Sequence, residues 1–283
     1  MNAMQVDFCG VRGSLPAAGE EFVRYGGHTS CLALTHDGAS APSLFLDAGT
    51  GLLQGLALLR GAPYDGTILL THLHWDHVVG LPFFAAHERA ETRADVLLPE
   101  QENGADAASV LGGLMSPPYF PIGPEQLCGR WSFSSLAPGE HTVEGFSVLA
   151  REIPHKGGRT FGYRIGDGRA TIAYMPDHNP TAVGPGPDGL GEYHAAALEL
   201  ARDADLLVHD AQLLPEELAT EANFGHAAAD YAVALAQRAR ARSVVLFHHR
   251  LDRTDGELDA LAERLAGSSP QVSVATEGVV LKL

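Results

Sequence analysis

A two-sheet α/β sandwich is the fold this sequence predicts, and three observations predict it. Apolar runs of strand length alternate with longer stretches at helical spacing, in the first half of the chain and again in the second. Histidines and aspartates fall where those apolar runs end. No linker-like stretch divides the chain, so residues 1–283 are expected to form one domain, with Gly184-Pro185-Gly186-Pro187-Asp188-Gly189 as a surface loop.

Taken in order, residues 4–8 alternate as a first strand and lead into the glycine-rich loop Gly10-Val11-Arg12-Gly13-Ser14-Leu15-Pro16. Glycine admits backbone conformations closed to other residues, and here it is expected to shape turns beside the site. Residues 31–34 and 43–46 read as a strand pair about the Asp37-Gly38 turn. Leu52, Leu53, Leu56, Leu58 and Leu59 recur at helical spacing. Ile68-Leu69-Leu70 is a buried strand that continues in extended form through residues 71–74. Residues 81–88 are expected to be helical and 94–98 a strand, whereas 100–131 are irregular. Within that segment Pro117, Pro118 and Pro121 exclude a regular helix or central strand, and their apolar loop is expected to wall a substrate pocket. Strand 146–149 follows, then a hairpin of 161–165 with 170–174. The rest alternates: helix 194–202, strand 205–210, helix 227–238, strand 243–247, helix 252–265, and strands 272–274 and 279–283.

With 45% hydrophobic residues the chain can bury a sizeable core. Its net charge is −16 and no block of lysine and arginine appears, which disfavours phosphate backbones, so nucleic acid is excluded as an expected partner. The three cysteines, Cys9, Cys31 and Cys128, form no C-x-x-C pair and suit a reducing cytoplasm. No leader is evident in residues 1–7, and no apolar run approaches the roughly 18–20 residues that span a bilayer. A soluble cytoplasmic protein without a membrane partner is expected; homo-oligomerisation stays open.

The chemistry concentrates in Thr71-His72-Leu73-His74-Trp75-Asp76-His77. In extended backbone, residues two apart share a side, so His72 and His74 converge on one ion. Asp76 and His77 follow at a turn and face the same cavity from a second direction, where they could hold a second ion. Imidazole and carboxylate without thiolate suit zinc, manganese or iron. Asp47 ends a strand and is either a turn cap or an acceptor for a ligand histidine. His28 reads as a turn residue, and Arg250 as an exposed arginine near a helix start or, alternatively, as a contact to an anionic substrate.

His72-x-His74-x-Asp76-His77, preceded by Asp47-Ala48-Gly49-Thr50-Gly51, resembles the signature of the metallo-β-lactamase superfamily, and later pieces follow in that family's order. The resemblance implies a four-layer αββα sandwich, two mixed β-sheets flanked by helices. It implies His72, His74 and His155 on one divalent ion, Asp76, His77 and His248 on another, and Asp177 bridging. It prefers Asp177 to its neighbour His178, and His248 to His249. Gly13-Ser14-Leu15-Pro16 and Gly26-Gly27-His28-Thr29-Ser30-Cys31 resemble the branch of cyclic-phosphate phosphodiesterases and ribonuclease Z, although His28 stands where that branch has asparagine. In that branch a histidine like His226 assists the leaving group, here with Asp210 orienting it; Ala227-Ala228 depart from the usual Ser-Thr.

Two ions roughly 3.5–4 Å apart can hold a bridging hydroxide that attacks phosphoryl or carbonyl centres. The expected protein is therefore a dinuclear metal-dependent hydrolase, most simply a zinc phosphodiesterase on a small or cyclic phosphodiester, with Asp76, His226 and Asp210 in the catalytic set. Only 21 residues separate His155 from Asp177, too few for the tRNA-gripping arm of ribonuclease Z, which also points to a small anionic substrate. A lactone or thioester hydrolase on the same metals is the alternative. A non-catalytic metal-stabilised or sensory domain would have no need of so complete a ligand set.

Overall fold

The computed structural model describes residues 4–283; residues 1–3, part of the stretch read for a leader, lie outside the described residues. In chain order the strands are β1 (Gln5–Gly10), β2 (Cys31–Thr35), β3 (Leu44–Leu46), β4 (Asp65–Leu69), β5 (Arg93–Pro99) and β6 (Arg130–Leu136), then β7 (Gly139–Val143), β8 (Phe146–Glu152), β9 (Phe161–Gly166), β10 (Thr171–Met175), β11 (Leu206–Asp210), β12 (Ser243–Phe247), β13 (Gln271–Val274) and β14 (Val280–Lys282). The helices are α1 (Leu52–Leu58), α2 (Trp75–Val78), α3 (Ala107–Gly112), α4 (Ala195–Ala201), α5 (Leu218–Glu221), α6 (Ala229–Ala239) and α7 (Asp255–Arg264).

Two seven-stranded sheets result, ordered β14-β1-β2-β3-β4-β5-β6 and β13-β12-β11-β10-β9-β8-β7. Each is mixed: β3 to β6 and β10 to β13 run parallel, and the remaining neighbours antiparallel. The last strand returns to the first sheet, so both chain halves contribute to it.

Period-two alternation explains why the sheets stack face to face. Along β12, Val245 and Phe247 enter the core between the sheets, whereas Val244 and Leu246 enter the core beneath the helices. Along β10, Ile172 and Tyr174 face inward and Ala173 and Met175 outward. A strand apolar on both faces must be covered on both, which requires the outer helix layers. α4, α6 and α7 cover the second sheet through Leu200, Tyr231, Leu235 and Leu258. α1 and α3 cover the first through Leu52 and Leu111, packed with Phe45, Ile68 and Val96. Phe146 is fully buried in the central core and stacks on His36 at 3.8 Å. Its replacement by alanine should cost about 3–5 kcal/mol, measured as a lowered midpoint of denaturant unfolding.

The expected helix at 81–88 is instead two short 3-10 turns, Leu81–Phe83 and Ala85–Glu88, separated by extended Phe84 (ψ 98°). Pro82 permits a first turn but supplies no N–H to extend it. The irregular segment holds α3, whose Asp106 side chain caps the Ser109 N–H at 3.0 Å. Among the described residues no helix is long and apolar enough to cross a membrane.

Candidate metal centre

Past β4 the chain runs irregularly through residues 70–74 and enters α2, with His74 (φ −64°, ψ 150°) just before its single turn. This path delivers His72 and His74 to one side and Asp76 and His77 to another. Asp47, in left-handed backbone (φ 61°) just past β3, fastens the arrangement. Its carboxylate accepts the Thr71 N–H (2.7 Å), the Thr71 hydroxyl (3.0 Å), the Tyr174 hydroxyl (2.9 Å) and His77 Nδ1 (2.9 Å). Asp47 thus closes the turn and orients His77 at once. Replacing it by asparagine should weaken metal affinity 10–100-fold, read by competition with a chromophoric chelator; unchanged affinity would reduce Asp47 to a turn cap.

The remaining groups arrive from the second sheet: His155 after β8, Asp177 after β10, Asp210 at the end of β11, His226 before α6 and His248 after β12. One donor atom each of His72, His74, His155 and Asp177 falls within 4.8 Å of the others, and the same holds for Asp76, His77 and His248. Asp177 stands between the sets. Its Oδ1 is 3.4 Å from His155 Nε2 and 3.9 Å from His72 Nε2. Its Oδ2 is 2.9 Å from His77 Nε2 and 3.2 Å from His248 Nε2. His155 Nε2 meets His74 Nδ1 at 3.2 Å, and His248 Nε2 meets both His77 Nε2 (3.2 Å) and Asp76 Oδ2 (3.1 Å).

The far nitrogens of three rings are committed elsewhere: His72 Nδ1 to the Thr71 hydroxyl (3.1 Å), His77 Nδ1 to Asp47, and His155 Nδ1 to the Gly225 carbonyl (2.7 Å). Each leaves Nε2 facing inward as a lone-pair donor. His72 Nε2 and Asp177 Oδ2 are buried without a hydrogen-bond partner, which is costly unless a cation supplies one. The donor set and its inward-facing orphan atoms fit divalent metal ions. Close approach at His248 depends on Gly13, where an added Cβ would lie 2.2 Å from His248 Nδ1.

Burial, then the neighbouring His77, push His72 well below the ordinary imidazole range, and burial lowers His155 to about 4. Burial opposes ionisation of Asp177, but His248, His77 and His72 outweigh it and hold the carboxyl well below its usual range. His226 also resists burial, because the charge and hydrogen bond of Asp210 and the charges of Asp177 and Asp76 raise it to about 9. His226 Nδ1 lies 3.0 Å from Asp210 Oδ2 and 3.7 Å from Asp177 Oδ1. Asp210 further accepts the N–H groups of His178 (3.0 Å), Gln212 (3.0 Å) and Ala227 (3.3 Å).

Neighbours that competed as ligands point away. His178 bonds His209 (2.9 Å) and His194 (2.7 Å), and His249 bonds the Ala275 carbonyl (2.8 Å). His28 is paired with Glu277 at 3.1 Å. Arg250 departs from its expected exposed setting: it binds both oxygens of Glu221 at 2.7 Å and lines a cavity of about 540 Å³ together with His74, Asp76, His155 and His226. Ser14, Gln212 and Phe224 line the same cavity, and the Ser14 N–H reaches Asp76 Oδ2 at 2.7 Å. Ser14 belongs to the glycine-rich loop of residues 10–16 read in the sequence, and Gln212 and Phe224 reach the cavity from other loops.

A family profile described as "Beta-lactamase superfamily domain" matches residues 43–249. A Ribonuclease Z from Bradyrhizobium sp. (strain ORS 278) is 29% identical over 248 residues, covering 74% of this chain and 81% of that protein. The metallo-beta-lactamase fold protein YhfI from Bacillus subtilis superposes with a TM-score of 0.71 at 18% identity, over 100% of both chains. A diphosphatase from the PhnP family gives 0.70 at 16% identity, over 99% of this chain and 98% of its own. The ribonuclease overturns the exclusion of nucleic acid drawn from charge. Net charge is summed over the whole surface, but salt screens it within about 8 Å, and a phosphodiester in the cavity responds to the local donors and their cations.

Proposed function

The chain belongs to the β-lactamase superfamily, and from that premise we propose that it is a dinuclear metal-dependent phosphodiesterase acting on a small or cyclic phosphodiester. The observation that supports this most is Asp177, with one oxygen toward each histidine set and the His226–Asp210 pair beside it. His72, His74 and His155 would hold one ion, Asp76, His77 and His248 the other, with Asp177 between; zinc suits these donors, and manganese and iron are the alternatives. When bound, such ions acidify water and neutralise charge on phosphoryl oxygens.

The chain's own groups then divide the work. The Ser14 N–H orients Asp76, and Asp47 orients His77. Asp210 holds His226 through Nδ1, so Nε2 is the atom that can present a proton to the leaving oxygen. An alkoxide leaves poorly without that proton. An activated acyl ester or thioester asks less of it, and acyl hydrolysis on the same centre is the second reading. The likeness to a ribonuclease adds RNA to the substrates to be assayed.

The test is metal content together with hydrolysis of bis(p-nitrophenyl) phosphate, a lactone, a thioester and a short RNA, after loading with zinc or manganese. Two ions per chain with phosphodiester turnover are expected. Turnover of the lactone or thioester alone would move the protein into acyl chemistry.

A further inference from the structure

A second cavity, of about 660 Å³, adjoins the metal centre. Its walls include Trp75, Val79, Phe83, Met115, Tyr119 and Phe120, and no residue lining it carries a charge. Trp75 also lines the cavity that holds His74, Asp76 and His226, so this residue is shared between an apolar compartment and a polar one. Trp75, Phe83 and Tyr119 are 73%, 55% and 83% exposed, an unusual concentration of uncovered aromatic surface beside the metal centre. Phe83 and Phe120 meet edge to face at 5.4 Å, which leaves ring faces available to a further ring. The far wall is the proline-stiffened loop of Met115, Tyr119 and Phe120, which loses little entropy when a ligand orders it.

We propose that this cavity receives an uncharged aromatic substituent of the substrate, a nucleobase or a simple aryl group, while its phosphate lies at the metal centre. The inference rests on the phosphodiesterase reading and narrows its substrate class. The aromatic lining favours a flat ring over an alkyl chain, because stacked and edge-to-face contacts add to what area burial alone provides. Because Trp75 borders both cavities, a ligand with its phosphate in one would carry its ring into the other past Trp75.

The chain has two tryptophans, so the Trp131→Phe protein retains Trp75 as a single fluorescent reporter on the cavity. Metal-loaded protein would be titrated with phenylphosphonate, methylphosphonate and uridine 3′-phosphate. Binding of an aromatic probe should perturb Trp75 fluorescence and be about tenfold tighter than binding of methylphosphonate. Phe83→Ala and Tyr119→Ala should each remove most of that preference. The tighter of the two aromatic probes distinguishes nucleobase from aryl. Equal affinity for phenyl- and methylphosphonate overturns the proposal, as does a preference that survives both substitutions. Light scattering run in parallel tests the other occupant: a dimer that Tyr119→Ala dissociates, with Trp75 blind to all three probes, overturns it in favour of a subunit contact. The phosphonate probes contain no ester to cleave. Ring-dependent binding in a protein that hydrolyses no phosphodiester would therefore uphold the aromatic site and sink only the phosphodiesterase reading.

Discussion

Asp177→Ala should yield a folded protein that retains fewer than two ions per chain and hydrolyses phosphodiesters on the order of a thousandfold more slowly. The size follows from where its oxygens lie. Oδ1 faces His155 and His72, and Oδ2 faces His77 and His248, so one truncation removes an anionic donor from both sets. Five imidazoles would then surround a region with only Asp76 to offset two dications, and a carboxylate lost from such a site is not replaced by solvent of equal charge. Asp177→Asn keeps the shape and one carbonyl donor, and should hold an ion more firmly than the alanine variant while staying slow. Elemental analysis, kcat/KM and circular dichroism separate loss of metal from loss of fold. Full two-ion occupancy with undiminished turnover in Asp177→Ala would remove Asp177 from between the ions.

How much of this was legible beforehand depended on how locally each feature is encoded. The segment from His72 to His77 could be read because its four donors share six residues, and period-two geometry relates the first pair. β10, β11 and β12 could be read because both faces are buried, which writes a continuous apolar run. β6 and β7 escaped notice because they are edge strands with outward polar residues, such as Ser132, Ser134 and Glu140, and one-sided burial leaves only a weak alternation. α3 was hidden by its length of six residues, too short for a helical period to show. Arg250 and Glu221 meet at the cavity only through tertiary packing, and because they lie 29 residues apart the pairing cannot be read from either local sequence. The reading of nucleic-acid exclusion failed for a different reason: it drew a local conclusion from a global charge.

For His226→Ala the expected result is a change in leaving-group dependence rather than a uniform loss. A diester that must expel an alkoxide should slow by about 10²–10⁴-fold, whereas one that expels p-nitrophenolate, stable without a proton, should slow far less. The contrast follows from His226 sitting 3.0 Å from Asp210 and lining the cavity. Burial disfavours its charge, yet Asp210, in hydrogen-bond contact with Nδ1, favours the protonated ring. The rival role, packing and capping ahead of α6, predicts something different. Without the imidazole, Asp210 still accepts the N–H groups of His178, Gln212 and Ala227, so the loop retains its anchor and the fold should persist. A merely structural histidine would then lower all rates by a common factor. Plotting log(kcat/KM) against leaving-group pKa for wild type and variant reads the difference directly: a steeper dependence in the variant assigns proton donation to His226. Parallel lines would confine His226 to a positioning or packing role and would strengthen the acyl-hydrolase reading, whose leaving groups need no such donor.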